Sequence, residues 1–317
     1  MPLRDRVSRH MPFPLRYRHE TAFQWVQMVA PVLGSIAAGL FTFYYGMPLG
    51  TLAVAGVFGI LTGLGVTVGF HRLFTHRSFE THPAVRAALA IFGSMAAQGT
   101  LYSWVAGHRQ HHQFSDHHGD PHSPNRSGSS FWGRVLAIWN AHVGWMLDVH
   151  MTPERMGYIP DLIADPLLAR VQRLHLVWVT IGFALPAALC WVISGTWQGA
   201  VAGLLWGGFV RIALTDHISF GLNSVCHLWG KRPFQAHDLS RNNGVMAVLA
   251  FGEGWHNNHH AFPTSARHGL RWWEVDMSYN LIQLLQLCGL AWNVKTPTAA
   301  QIESKARTKS DVDDASA

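Results

Sequence analysis

Between Glu20 and Arg72 the chain carries no Asp, Glu, Lys or Arg. A run that long without charge has no place on the watered surface of a globular domain. Residues 22–45 and 49–70 within it are each long enough to cross a bilayer, which takes about 20 apolar residues. Gly46-Met47-Pro48 supplies a tight turn between them. A second uncharged run, Leu174 to Val210, breaks the same way into spans at 174–193 and 197–222, joined by Ser194-Gly195-Thr196. Two membrane hairpins are therefore expected. Only 13% of the 317 residues are charged, about half the share of an ordinary globular chain. Mean hydropathy is nevertheless just +0.10, so a large water-facing part must accompany the spans.

The charges lie on one side of this pattern. Of 24 basic residues, five precede the first span, nine lie between Arg72 and Arg173, and nine lie from Lys231 onward; the hairpin turns have none. The positive-inside rule then places both termini and the central segment in the cytoplasm, and the basic balance needs no nucleic acid to explain it. The expected organisation is a cytosolic N-terminal segment (1–20), a membrane domain (21–295) whose cap comprises 71–173 and 223–295, and a disordered tail (296–317). Val85–Ala106 contains Arg86 and Gln98, and Leu281–Trp292 is too short to span, so both read as interfacial or cap helices. The N-terminus shows no cleavable signal pattern. Cys190, Cys226 and Cys288 form no CxxC pair, which excludes a disulfide framework and a thiolate metal site.

Any metal therefore falls to imidazole. Nine of the 21 His stand in four places: His71 and His76 in HRLFTH, His108, His111 and His112 in HRQHH, His227 in NSVCH, and His256, His259 and His260 in HNNHH. Positions i, i+3 and i+4 share a helix face, so each HxxHH box aims three imidazoles one way. His71 and His76, five apart, would stand about 140° apart on an α-helix, which suits one ligand to each of two neighbouring ions. Nine imidazoles exceed what one ion uses; split between two they give four or five each. Imidazole suits Fe, Cu, Zn and Ni alike, so the metal stays open on ligand type.

With these motifs in order, the chain resembles the membrane fatty-acyl desaturases, in the branch of stearoyl-CoA (Δ9) desaturases and their bacterial relatives. The resemblance rests on HRLFTH (71–76), HRQHHQFSDHHGDPHSP (108–124), NAHVGW (140–145), NSVCHLWG (223–230) and GEGWHNNHHAFP (252–263), and covers roughly residues 20–295. It implies an all-α membrane protein of four transmembrane helices, in a bacterial inner membrane, whose cytosolic helical cap holds a non-haem di-iron centre. It implies the nine His as ligands, with Asn223 joining through water. The implied reaction is O2-dependent removal of two hydrogens from a long-chain acyl substrate, leaving a cis double bond, Δ9 as the leading outcome. Acyl-CoA is the favoured carrier, with acyl-ACP and acyl-lipid as alternatives. An unactivated C–H bond is beyond acid–base side chains, so an oxidising cofactor is required. No GxGxxG, haem or Fe–S pattern supplies electrons; the resemblance implies a ferredoxin or cytochrome b5-type donor.

The likeness departs at Gly99, Ala106 and Gly107, where the animal enzymes carry Asn, Arg and Asp among residues contacting CoA. Ser219-Phe220 stands where a Thr-Trp pair lines the channel bend. Trp104, Ser219 and Phe220 are the expected channel lining. Ala55 and Gly59, 16 and 12 residues before His71, are the expected channel floor, open enough for C16–C18 chains; other small residues of that span suit helix packing. Arg211 and Asp216 are charges inside a span and read as structural. Asp116, Asp120 and Glu253 are placed either to accept the free N–H of ligand imidazoles or on the cap surface, whereas His142 and His217 read as residues that support the ligands or pack. A hydroxylase or acetylenase on the same scaffold is the nearest rival. A metal transporter fits poorly, since 22–45 has no ionisable side chain and the His gather at one membrane face.

Overall fold

The computed structural model describes residues 17–125, 130–148 and 151–307. Residues 1–16 of the expected N-terminal segment and 308–317 of the expected tail lie outside the described residues. The fold is mostly helical. Its long elements are α1 (Tyr17–Tyr45), α2 (Thr51–Leu64), α3 (Pro83–Met95), α4 (Leu101–Phe114), α5 (His175–Ser194), α6 (Trp197–Leu204) and α7 (Arg211–Leu228). Shorter helices α8 (His256–Ala261), α9 (Met277–Leu287) and α10 (Ala299–Lys305) follow. Two-residue strands β1 (Glu80–Thr81) and β2 (Ala291–Trp292) pair antiparallel. Three π-helical segments interrupt the α-helices, at Gly65–Thr75, Asn140–Gly144 and Leu205–Val210.

Among the described residues, three helical segments are long and apolar enough to cross a membrane: Gln24–Tyr45, Thr51–Thr75 and His175–Ser194. The expected fourth span, 197–222, is helical throughout but is not among them; α7 carries Arg211, Asp216 and His217, which reduce its apolar character. The turn before α6 forms as expected, with Gly195 left-handed at the end of α5 (φ 67°) and the Thr196 side chain accepting from Gly199 N.

The chain divides into two compact units. Among the described residues, one comprises 17–70 with 83–107 and 146–217, the other 71–82, 108–145 and 218–307. Segments 83–107 and 146–173, expected in the cap, thus cluster with the apolar helices. The cause is visible in α3, whose Ile91, Phe92 and Met95 pack with Val54, Phe58 and Cys190.

In this apolar unit the helices approach closely where side chains vanish. A Cβ on Gly65 would stand 2.2 Å from Gly93 N, and one on Gly34 2.2 Å from the Phe209 ring, the small-residue contact that lets helices pack without a hydrophobic drive. Arg211 braces four segments, donating to Gly207 O (2.7 Å), Met95 O (3.1 Å), Gly182 O (3.3 Å) and Thr62 Oγ1 (3.2 Å). Its role is structural. Trp25, Leu33, Leu40, Phe43, Val57, Ile60 and Val192 remain exposed, the surface of helices whose solvent is lipid.

The second unit is built of short helices and loops around buried polar groups. Its C-terminal part corrects the sequence reading: residues 299–305, expected to be disordered, are helical, opened by a capping box between Thr298 and Gln301. Ile302 packs on the Phe234–Ala261–Phe262 cluster, which gives this segment the apolar anchor its composition seemed to lack.

Candidate metal centre

All nine box histidines belong to the second unit. They form two groups, His71, His76, His108, His112 and His259 in one and His111, His227, His256 and His260 in the other, with one ring nitrogen per residue within 4.8 Å of its fellows. Six of the nine Nε2 atoms meet in close pairs: His71–His259 at 3.1 Å, His259–His112 at 2.9 Å, His112–His108 at 3.1 Å and His227–His256 at 3.1 Å. The other three, on His76, His111 and His260, are buried without a hydrogen-bond partner. Buried lone pairs left unpaired are costly unless an ion takes them. At a metal–nitrogen bond of about 2.1 Å, ligands 90° apart put their nitrogens about 3.0 Å from one another, and tetrahedral ligands about 3.4 Å. The four close pairs, at 2.9–3.1 Å, lie nearest the 90° spacing. The donor set therefore fits two ions of a kind that accepts several imidazoles with open positions, as iron does.

Local winding decides which histidine joins which group. HRLFTH lies in the π-helical segment Gly65–Thr75, where His76 N donates to His71 O, an i→i+5 bond. That wider turn brings residues five apart onto one side, with ring centroids 4.7 Å apart. His71 and His76 accordingly share one group, contrary to the α-helical expectation of one ligand to each ion. The HxxHH boxes straddle both groups: His108 and His112 join one and His111 the other, while His259 joins one and His256 and His260 the other.

Carboxylates hold the far side of several rings. His111 Nδ1–H donates to Asp120 (2.9 Å), His227 Nδ1–H to Asp116 (2.8 Å) and His260 Nδ1–H to Asp238 (2.5 Å), while His71 Nδ1 lies 2.7 Å from Glu253 Oε2. Such bonds fix the tautomer that leaves Nε2 free for an ion. Burial opposes carboxylate ionisation here, but the ring partners hold Asp116, Asp120 and Asp238 well below the usual range, and Arg72 does so for Glu253. Burial and neighbouring rings push His76, His108, His112, His256 and His259 well down. Burial likewise brings His260 to about 4 against the pull of Asp238. Neutral imidazole is the form that ligates metal.

Sequence reasoning anticipated Asp116, Asp120 and Glu253 but missed three residues. Asp238 lies in a loop with no periodic signal. His268, wholly buried, places Nδ1 3.2 Å from Glu253 Oε2 and its ring 4.4 Å from that of His259. Arg72, inside HRLFTH itself and fully buried, pairs with Glu253 and with Asp276 (3.0 Å).

A family model described as "Fatty acid desaturase" matches residues 46–283. The chain belongs to the fatty acid desaturase family. It is 44% identical over 281 residues, 87% of each chain, to a hex-5-enoyl-[acyl-carrier protein] acetylenase of Moorena producens. It is 40% identical over 270 residues, 80% of this chain and 92% of its relative, to an sn-1 stearoyl-lipid 9-desaturase of Anabaena variabilis. A plant relative, the icosanoyl-CoA 5-desaturase of Limnanthes douglasii, is 42% identical over 248 residues, which are 78% of this chain but 65% of that longer protein. Membership brings oxidoreductase chemistry on fatty acyl chains, and with the three apolar segments it accords with membrane association.

In this desaturase-family chain the expected channel residues are distributed between the units. Ala55, Gly59 and Trp104 belong to the apolar unit; Ser219 and Phe220 belong to the histidine-bearing one. A Cβ on Gly59 would meet nothing within 4 Å, unlike Gly65 in the same segment. Trp104 stands edge-on to Phe70 (5.8 Å), and Phe220 is buried edge-on to His142 (6.0 Å) and Trp145 (5.9 Å). His142 Nδ1 lies 3.0 Å from Ser224 Oγ and stands outside both groups. Asn223 sits one turn before His227 on α7.

Proposed function

We propose that this protein is an O2-dependent acyl desaturase binding two Fe, one in each histidine group. The carrying observation is the set of nine Nε2 atoms, each either about 3 Å from another or buried without a hydrogen-bond partner. In this reading the nine histidines are the ligands and Asn223 joins through water. Asp116, Asp120, Asp238 and Glu253 orient the rings. Bound iron would supply activation of O2 and removal of hydrogen from an unactivated methylene pair. The balance is one O2, two electrons, two protons and a saturated acyl chain giving a cis alkene and two waters. The electrons come from an external ferredoxin or cytochrome b5-type donor.

The chain's own residues hold His76, His108, His112, His256, His259 and His260 neutral and keep the carboxylates ionised. The one-sided basic residues support four spans with both termini and a cytosolic cap on the cytoplasmic face of a bacterial inner membrane. Likeness to a stearoyl-lipid 9-desaturase supports a Δ9 outcome. Acyl-CoA is the first carrier to test, beside acyl-ACP and glycerolipid, since named relatives act on all three. Likeness to an acetylenase supports a second reading, further oxidation on the same scaffold. Expression in a desaturase-deficient host with lipid profiling tests both. New cis-Δ9 monoenes support the first, triple bonds the second, and an unchanged profile from iron-loaded protein contradicts both.

A further inference from the structure

Helix α8 carries His256, His259 and His260 and, like α4, supplies both histidine groups, here from only six residues. A helix of under two turns has no stability of its own, so its position must come from its neighbours. Between the ligands, Asn257 and Asn258 clamp the backbone around it. Phe234 N donates to Asn257 Oδ1 (2.9 Å) and Asn257 Nδ2 to Phe234 O (3.2 Å). Asn258 Nδ2 donates to His268 O and to Glu274 Oε2, both at 2.8 Å. The far end of α8 is held by the C-terminal segment. Lys305 Nζ donates to Ala261 O (2.6 Å), at the helix C-terminus where a cation is favoured. The same ammonium lies 5.3 Å from the Phe262 ring centre. Ile302 packs on Phe234, Ala261 and Phe262. The strap is also pinned to the strand-like segment that holds Asn257: Gln235 N donates to Lys305 O (2.8 Å), Arg307 N to Pro233 O (2.9 Å), and Phe234 bridges Ala306.

We infer that residues 298–307 are a positioning strap for the third histidine box, with Lys305 and Ile302 as its two grips. The strap touches no ring nitrogen; it acts through the backbone of α8, and through α8 on both ion sites. Its importance for catalysis rests on the two-Fe reading, while its mechanical role does not. The test uses full-length protein and the variants Lys305→Met, Ile302→Ser and Lys305→Arg. In metal-free protein, amide hydrogen exchange of the peptide covering 256–262 should quicken about fivefold in the first two, with α4 unchanged and Lys305→Arg close to the parent. In iron-loaded protein the same two variants should lose iron to a chelator about tenfold faster. Unchanged exchange at 256–262 in both Lys305→Met and Ile302→Ser overturns the strap. Faster exchange with an unchanged rate of iron loss keeps the strap and removes it from the metal site; a parent that binds no iron defeats the two-Fe reading alone.

Discussion

The two histidine groups are built differently. In the group of four, His111, His227 and His260 are each backed by an aspartate, Asp120, Asp116 and Asp238. In the group of five, His71 is backed by Glu253, and that carboxylate is shared with His268 and the buried Arg72. Three aspartates thus back one group, with Arg232 close to Asp238 and Asp116, while the buried Arg72 lies between Glu253 and Asp276 beside the other. One group therefore has three of its four rings backed by aspartates, the other one of its five backed by a glutamate. Equal ligation by number would have hidden this, because the difference lies in what stands behind the rings.

The largest expected effect is on ligand loss. His227→Ala should abolish turnover while leaving the helical content by circular dichroism unchanged, since α7 is held elsewhere along its length. Near-normal turnover would remove His227 from the ligand set and leave eight histidines.

The contrast between backing groups is next. Asp238→Asn should weaken iron binding about 10–100-fold with little change in melting temperature, because it frees one ring. Glu253→Gln should weaken iron binding too, and in addition lower the melting temperature. It strips a counter-charge from fully buried Arg72, and breaking such a pair destabilises by about 3–5 kcal/mol. Calorimetry beside iron titration separates the two, and equal behaviour of both variants would erase the asymmetry.

A smaller effect appears with pH in the metal-free protein. His76, His108, His112, His256 and His259 are held below the ordinary imidazole value, and His260 is held at about 4. Below about pH 6.5 the unfolded chain therefore binds more protons than the folded one, and stability falls as pH drops from there toward 4. The depressed carboxylates add stability that is present above about pH 4 and lost below it. Melting temperatures between pH 7.5 and 5 should decline steadily; a flat or rising series contradicts the buried neutral rings.

The smallest effect is on specificity. Gly59→Phe enters open space, so the fold should survive. Products of mixed-length substrates should shift toward shorter chains with the double bond fixed from the carboxyl end. An unchanged chain-length profile would place that space on the lipid side of α2.

How much of this was legible in the sequence follows from where the signal is periodic. Charge-free runs announce α1, α2 and α5 because lipid tolerates no charge along a span. The HxxHH boxes announce clustered imidazoles because i, i+3 and i+4 share a helix face. The π-helical winding at Gly65–Thr75 left no mark in the sequence, so the pairing of His71 with His76 was misread. Asp238 and His268 reach the site from loops, where spacing carries no information about direction. The helix at Ala299–Lys305 did have a local signal, Thr298 with Gln301 three residues on, but its Ala-, Ser- and Lys-rich composition spoke louder. Ile302 supplies what that composition lacked.

The central claim is that nine imidazoles hold two metal ions. Elemental analysis of fully loaded, active protein, with Mössbauer spectra of a 57Fe-enriched sample, tests it most directly. The account predicts about two Fe per chain in nitrogen-rich, six-coordinate sites, with two distinguishable iron environments reflecting the unequal carboxylate backing. One metal per chain, or zinc alone in an active sample, would contradict it.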